Sequence, residues 1–165
     1  MYFAIFISLF IVQRLSELWI AKRNQHFLLQ QGAIEYGREH YPFMVAMHTL
    51  FIVSLIAEYQ WRDGTPINWL FLVIFIGLLL FKFWVISSLG KYWNTRIFRI
   101  PNFQPVTKGP FKYFKHPNYM EVICEIAIIP LVFHLYYTAV IFTLLNAAML
   151  NVRIRVENRV WRGEL

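Results

Sequence analysis

Cysteine, charge and phosphate-binding motifs are all scarce in this sequence. Its single cysteine, Cys124, allows neither an internal disulfide nor a cysteine-based zinc site, and leaves the redox compartment unconstrained. Charged residues make up only 15% of the chain, against about 25% in an ordinary soluble domain. There is no glycine-rich phosphate loop, no Walker motif, no His-Glu-x-x-His and no nucleophile elbow, so none of those chemistries has its motif here. Internal repeats and low-complexity tails are lacking too. The N-terminus has no basic n-region and no small-residue cleavage site, so residues 2–20 are expected to remain as a first membrane helix.

What is present is apolar. Hydrophobic residues are 58% of the chain and aromatics 19%. The net charge of +7 does not point to nucleic acid, because the basic residues are scattered between apolar runs. Five apolar segments can be drawn, at 2–20, 43–60, 67–88, 120–135 and 137–152. Each spans or nearly spans a hydrocarbon core of about 30 Å, the last two being short. The predicted class is therefore an all-α integral membrane protein of about five transmembrane helices, a single domain over 1–165. Residues 1–88 supply three spans, and 89–165 supply a loop, a helical hairpin and a C-terminal helix. The hairpin turns around His134, and Pro130 is expected to kink its first helix.

Charge gives the expected orientation. With the N-terminus outside, Lys22, Arg23, Arg38, Lys91, Arg96, Arg99, Lys108, Lys112, Lys115, Arg153, Arg155, Arg159 and Arg162 fall inside. Those are thirteen of the sixteen basic residues. Only Arg62 falls outside, while Arg14 and Lys82 lie within spans. The bias predicts a cytosolic C-terminus. Residues 21–42, with Gly32, Gly37 and Pro42, read as a broken, partly amphipathic interfacial segment.

Ionisable groups inside spans each cost about 2.5–3.5 kcal/mol on insertion scales and need a reason. Arg14 and Glu17, three apart, can pair. Glu58, near a helix end, is expected to reach water, and His134 to be interfacial. His48 reads equally as a packing histidine and as a substrate contact. Glu121 and Glu125 share a face, but no histidine is spaced to complete a metal site with them, and no metal is expected.

Two stretches stand out. Thr107-Lys-Gly-Pro-Phe-Lys-Tyr-Phe-Lys-His-Pro-Asn-Tyr119 is polar and aromatic, broken at Gly109-Pro110 and His116-Pro117. Arg153-Ile-Arg-Val-Glu157 places Arg153 and Glu157 four apart on one helical face. Irregular backbone at membrane depth must be buried or line a cavity, so a polar pocket on the cytosolic side is expected.

Together these residues resemble the isoprenylcysteine carboxyl methyltransferase superfamily. The family's Arg-His-Pro-x-Tyr-x-Gly corresponds to Lys115-His116-Pro117-Asn118-Tyr119-Met120-Glu121. Its Val-Thr-x-Gly-x-Tyr corresponds to Val106-Thr107-Lys108-Gly109-Pro110-Phe111, and its Arg-Ile-x-x-Glu-Glu to Arg153-Ile154-Arg155-Val156-Glu157-Asn158. Glu121 and Asn158 depart from the pattern. Gln13-Arg14-Leu15-Ser16-Glu17-Leu18 and His40-Tyr41-Pro42-Phe43-Met44-Val45 resemble a bacterial branch found in Bacillus. That branch includes a partner of type III polyketide synthases that O-methylates alkylpyrones.

The resemblance implies an S-adenosylmethionine-dependent O-methyltransferase in the bacterial cell membrane, acting on a lipophilic small molecule. By position, the cofactor would touch Phe103, Gln104, Pro105, Val106, Phe111, His116, Pro117, Asn118, Tyr119 and Glu157, and Arg153 would face the acceptor. Long-chain alkylpyrones are the expected acceptor, with a prenylated cysteine or similar isoprenoid acid as the alternative. A sterol-type NADPH reductase and a non-enzymatic membrane scaffold are the readings from other classes.

Overall fold

The computed structural model describes all 165 residues, Met1–Leu165. Five α-helices dominate: α1 (Tyr2–Gln30), α2 (Tyr41–Trp61), α3 (Trp69–Leu89), α4 (Pro117–Leu131) and α5 (Tyr136–Arg162). Two three-residue strands, β1 (Ile34–Tyr36) and β2 (Ile97–Arg99), pair antiparallel with Ile34 opposite Arg99 and Tyr36 opposite Ile97. Four helices, α1, α2, α3 and α5, are long and apolar enough to cross a membrane. The protein is an all-α membrane protein, as the composition predicts.

The helices differ from the apolar segments at their ends. α1 runs ten residues past the first apolar segment, to Gln30, so the expected break of the interfacial segment begins only after it. The small sheet that follows had no alternating pattern long enough to announce it. α5 carries straight through Arg153 and Glu157 to Arg162. α4 has 15 residues, about 22 Å of helix, and is shorter than the four helices that are long and apolar enough to cross a membrane. Pro130 sits one residue before its end, so it stops this helix where a mid-helix kink was expected.

The helices are inside out relative to a soluble protein. α3 turns Leu70, Val73, Ile76, Leu80 and Phe83 outward, while its buried positions are Phe75, Lys82, Val85 and Ser88. Lipid accepts the apolar exterior, and the polar groups find partners inside. α1 buries one stripe, Phe3, Ile7, Phe10, Glu17, Ala21, Asn24 and Leu28, at steps of three, four and seven.

The chain forms two compact units. The first comprises Met1–Tyr41, Leu89–Val106 and Arg153–Leu165; the second comprises Pro42–Ser88 and Thr107–Val152. In the first, Asn24 of α1 donates to the carbonyls of Gly90 (3.1 Å) and Trp93 (2.7 Å), and Asn94 donates back to the Ala21 carbonyl (2.8 Å). Arg96 pairs with Glu35 at 2.6 Å and stacks over the Tyr41 ring at 4.0 Å. Burial opposes its charge, yet Glu35 and Tyr41 together hold its pKa above the ordinary arginine value. Arg99 donates to the Val160 carbonyl near the end of α5 and packs on Trp161.

In the second unit the loop after α2 is latched to the turn between α4 and α5. Arg62 donates to the His134 carbonyl (2.6 Å), the Asn68 amide to the Val132 carbonyl (2.8 Å), and Thr65 to the Phe133 carbonyl. Glu58 does not reach water. It is buried and accepts from the amides of Tyr137 (3.2 Å) and Thr138 (2.7 Å), capping α5 where its first amides lack helical partners. His134 takes a left-handed φ of 55° in this turn, and its Nδ1 lies 2.9 Å from the Tyr136 hydroxyl.

Candidate functional site

The polar aromatic stretch folds as two short pieces separated by its prolines. A 3-10 turn, Gly109–Lys112, opens it, and Pro117 starts α4 at the position where a missing N–H costs nothing. Gly109 is required there. Its φ is +60°, and a Cβ would lie 2.1 Å from Ser88 Oγ and 3.3 Å from the Trp84 indole nitrogen. The turn is thus pressed against the end of α3. Phe114 meets Phe81 edge to face at 6.4 Å, a second contact to the same helix.

His116 occupies the N-cap position of α4, and its ring lies 5.5 Å from that of Tyr119, tilted by 32°. Tyr119 and Pro117 are buried, whereas Phe111, His116 and Asn118 are half-buried. The second unit therefore places His116, Pro117, Asn118 and Tyr119 at one helix start, with Phe111 in the 3-10 turn before it, and aromatic faces of this kind suit a cation.

The other sequence-predicted residues belong to the first unit. Phe103 is stacked on Tyr92 at 4.8 Å, and Gln104 and Pro105 are exposed, with Val106 half-buried. On α5, Arg153 is 4% exposed and donates from Nη2 to the Thr95 carbonyl at 2.8 Å. Glu157, one turn further along the same helix, is half-buried. A guanidinium is by its chemistry a planar donor suited to an anionic oxygen. The half-buried carboxylate of Glu157 suits hydroxyl or ammonium donors.

The remaining ionisable groups of the spans are engaged structurally. Glu121 and Glu125 of α4 both face Lys82 of α3, at 3.3 and 2.7 Å. Arg14 and Glu17 pair at 2.9 Å, and Gln13 adds a bond to the same carboxylate. His48 Nδ1 lies 2.8 Å from the Met44 carbonyl, which favours its packing role. Sequence reading missed Lys82 as the partner of the two glutamates. The signal was available, since one buried cation and two buried carboxylates on separate apolar segments ask to be matched. It also missed Thr95 as the anchor of Arg153, and a backbone carbonyl gives no such signal.

Helices with lipid-facing apolar exteriors and polar groups partnered in their interior define a membrane protein. The chain belongs to the isoprenylcysteine carboxyl methyltransferase (ICMT) family, whose model matches residues 69–161. It is a membrane methyltransferase. Both motif stretches lie within the matched region. Among its relatives, the uncharacterized protein YpbQ of Bacillus subtilis (strain 168) is 42% identical over 159 residues, covering 95% of each chain. An uncharacterized protein of Haemophilus influenzae is 29% identical over 150 residues, covering 87% of this chain and 86% of its own. No solved structure matches the chain.

Proposed function

We propose that this membrane methyltransferase uses S-adenosylmethionine to O-methylate long-chain alkylpyrones, and that a type III polyketide synthase supplies them. The family match across both motif stretches carries the reading. The His116–Tyr119 ring pair and the fixed guanidinium of Arg153 support it chemically. The residues that hold the cofactor are Phe103, Gln104, Pro105, Val106, Phe111, His116, Pro117, Asn118, Tyr119 and Glu157.

When bound, the cofactor supplies an electrophilic methyl group on a sulfonium. The work of the chain is binding and orientation. Aromatic faces stabilise the cation by about 0.5–2 kcal/mol each when water is excluded. Glu157 would accept from ribose hydroxyls or the amino group, and Arg153 would hold the acceptor oxygen. The acceptor's tail remains in an apolar setting, at about 0.8 kcal/mol per buried CH₂. The flat pyrone head suits stacking on Phe111, Tyr113 and Tyr119. The positive-inside bias supports a cytosolic placement for both motif stretches, with the N-terminus outside.

The test is an assay with labelled S-adenosylmethionine, membranes, an alkylpyrone and a prenylcysteine, followed by base treatment. Ethers survive base and esters do not. Base-stable label in the alkylpyrone is the expected result. Label only as a base-labile ester of prenylcysteine would select the acid acceptor, the chemistry in the family's name. Label in neither, with NADPH bound instead, would favour the reductase.

A further inference from the structure

The first unit holds a run of packed rings that no motif marks. Phe103, the first residue of the proposed cofactor segment, lies on Tyr92 with ring centroids 4.8 Å apart and planes at 30°. Tyr92 in turn meets Phe27 of α1 nearly at right angles, at 5.8 Å, and Lys91 Nζ lies over the Phe27 ring at 5.3 Å. The backbone at both ends of this run is fixed. Asn24 of α1 donates to the Gly90 and Trp93 carbonyls, on either side of Tyr92, and Asn94 donates to the Ala21 carbonyl. Phe103 leaves β2 through a tight turn, its amide donating to the Ile100 carbonyl at 3.2 Å. Pro101 and Asn102 suit that turn, the first by its fixed φ and the second by a left-handed φ of 59°. Gln104 and Pro105 that follow are exposed, so the Phe103 ring is what seats the start of the segment. With one face on Tyr92, Phe103 stays 38% exposed, which leaves ring surface for a second flat partner.

We propose that Tyr92 and Phe27 are positioning residues for the cofactor, holding Phe103 so that its uncovered surface stacks on the cofactor's purine ring. This rests on the S-adenosylmethionine reading above. Phe27 lies outside residues 69–161, so the assignment gives α1 a part in the cofactor site that the family match does not contain. It also gives a role to the stretch of α1 that runs past the first apolar segment. A ring platform already in place needs no ordering when the cofactor binds, which favours affinity. Stacking recognises the flat base and not the methyl group. The same grip therefore serves the cofactor and its demethylated product, and its loss weakens both alike.

The test is titration of the detergent-purified full chain with S-adenosylmethionine and with S-adenosylhomocysteine. Tyr92→Ala should weaken both ligands by about five- to tenfold. Tyr92→Phe should bind within about twofold of wild type, because the ring and not the hydroxyl makes the stack. Phe27→Ala should show a smaller loss of the same kind. Trp61→Ala, which breaks the separate Trp61–Tyr137 pair, should show none. A cycle of Tyr92→Leu and Phe103→Leu tells positioning from general damage: if Tyr92 acts through Phe103, the double variant binds no worse than Phe103→Leu alone. A product analogue with 2-aminopurine as its base reports the stack directly, since stacking quenches its emission. At saturation it should be quenched on wild type and brighter on Phe103→Leu. Additive losses in the cycle, equal emission on both proteins, a Tyr92→Phe loss as large as that of Tyr92→Ala, or a folded Tyr92→Ala with wild-type affinity would each overturn the proposal. Should Tyr92→Ala fail to fold, the leucine cycle, which keeps most of the side-chain volume, decides. A wild type that binds neither ligand would instead remove the S-adenosylmethionine reading itself.

Discussion

Lys82→Met is the most informative single change to the interior. Lys82 Nζ lies 2.7 Å from Glu125 Oε2 and 3.3 Å from Glu121 Oε1, and the glutamates are 0% and 2% exposed. Methionine preserves the length and apolar volume of the lysine stem, so packing is largely kept. What changes is that two buried carboxylates lose the cation between them. Removing one partner of a buried ion pair costs about 3–5 kcal/mol, chiefly because the remaining charge stays desolvated. For a chain of this size each kcal/mol moves Tm by about 2–4 °C, so the midpoint should fall by about 6–20 °C. The assay is thermal unfolding of detergent-purified protein, with Lys82→Met, Glu125→Gln and the double variant forming a cycle. Since both changes remove the same contact, the double variant should be far less destabilised than the sum of the singles. A drop of less than about 3 °C for Lys82→Met, or strict additivity across the cycle, would refute the claim that this cluster ties α3 to α4.

Glu58→Ala should cost about 1–3 kcal/mol, because it removes a buried, charge-assisted cap from the Tyr137 and Thr138 amides; Glu58→Gln should recover part of the loss in the same melts. Gly109→Ala should lower both stability and cofactor binding, since its Cβ would overlap Ser88, whereas Gly77→Ala, with open space around it, should be tolerated; equal effects would refute the packing argument. In isothermal titration with S-adenosylmethionine, Glu157→Ala and His116→Ala should each weaken binding by more than about 1 kcal/mol, and Arg153→Lys should impair turnover more than binding. A reporter fused after Leu165 should read as cytosolic and one inserted at Gly64 as external; both on one side would break the orientation.

Helix positions were legible in the sequence because lipid demands long apolar runs, and α1, α2, α3 and α5 answer that demand. Their ends were not, because nothing forces a helix to stop at the membrane boundary. α1 continues to Gln30 because Ala21 and Asn24 are tied to residues 90–94, contacts far away in the chain. The strands Ile34–Tyr36 and Ile97–Arg99 are too short for any periodicity to reveal. Proline and glycine punctuation did read correctly at Gly109-Pro110 and His116-Pro117, where the backbone constraint is local. Glu58 was misread because a carboxylate near a helix end has two outlets, water and a neighbouring helix start. Only the fold decides between them.

Glu121 carries the same lesson into the site. It stands where the family pattern has glycine, which on sequence grounds puts a bare carboxylate two residues from Tyr119 and weakens the resemblance. The structure removes that objection on electrostatic grounds. Glu121 is buried and directed at Lys82, so its charge is matched within the helix pair. A glycine at that position leaves room beside the neighbouring helix, whereas here the room is filled by an ion pair. The two solutions impose different demands on α3, since a glutamate at 121 is tolerable only with a cation at 82. Lys82 and Glu121 should therefore be exchanged together: Glu121→Gly alone leaves Lys82 with Glu125, and should be milder than Lys82→Met, which strands two carboxylates. The reverse order would show that Glu121 matters for something other than pairing.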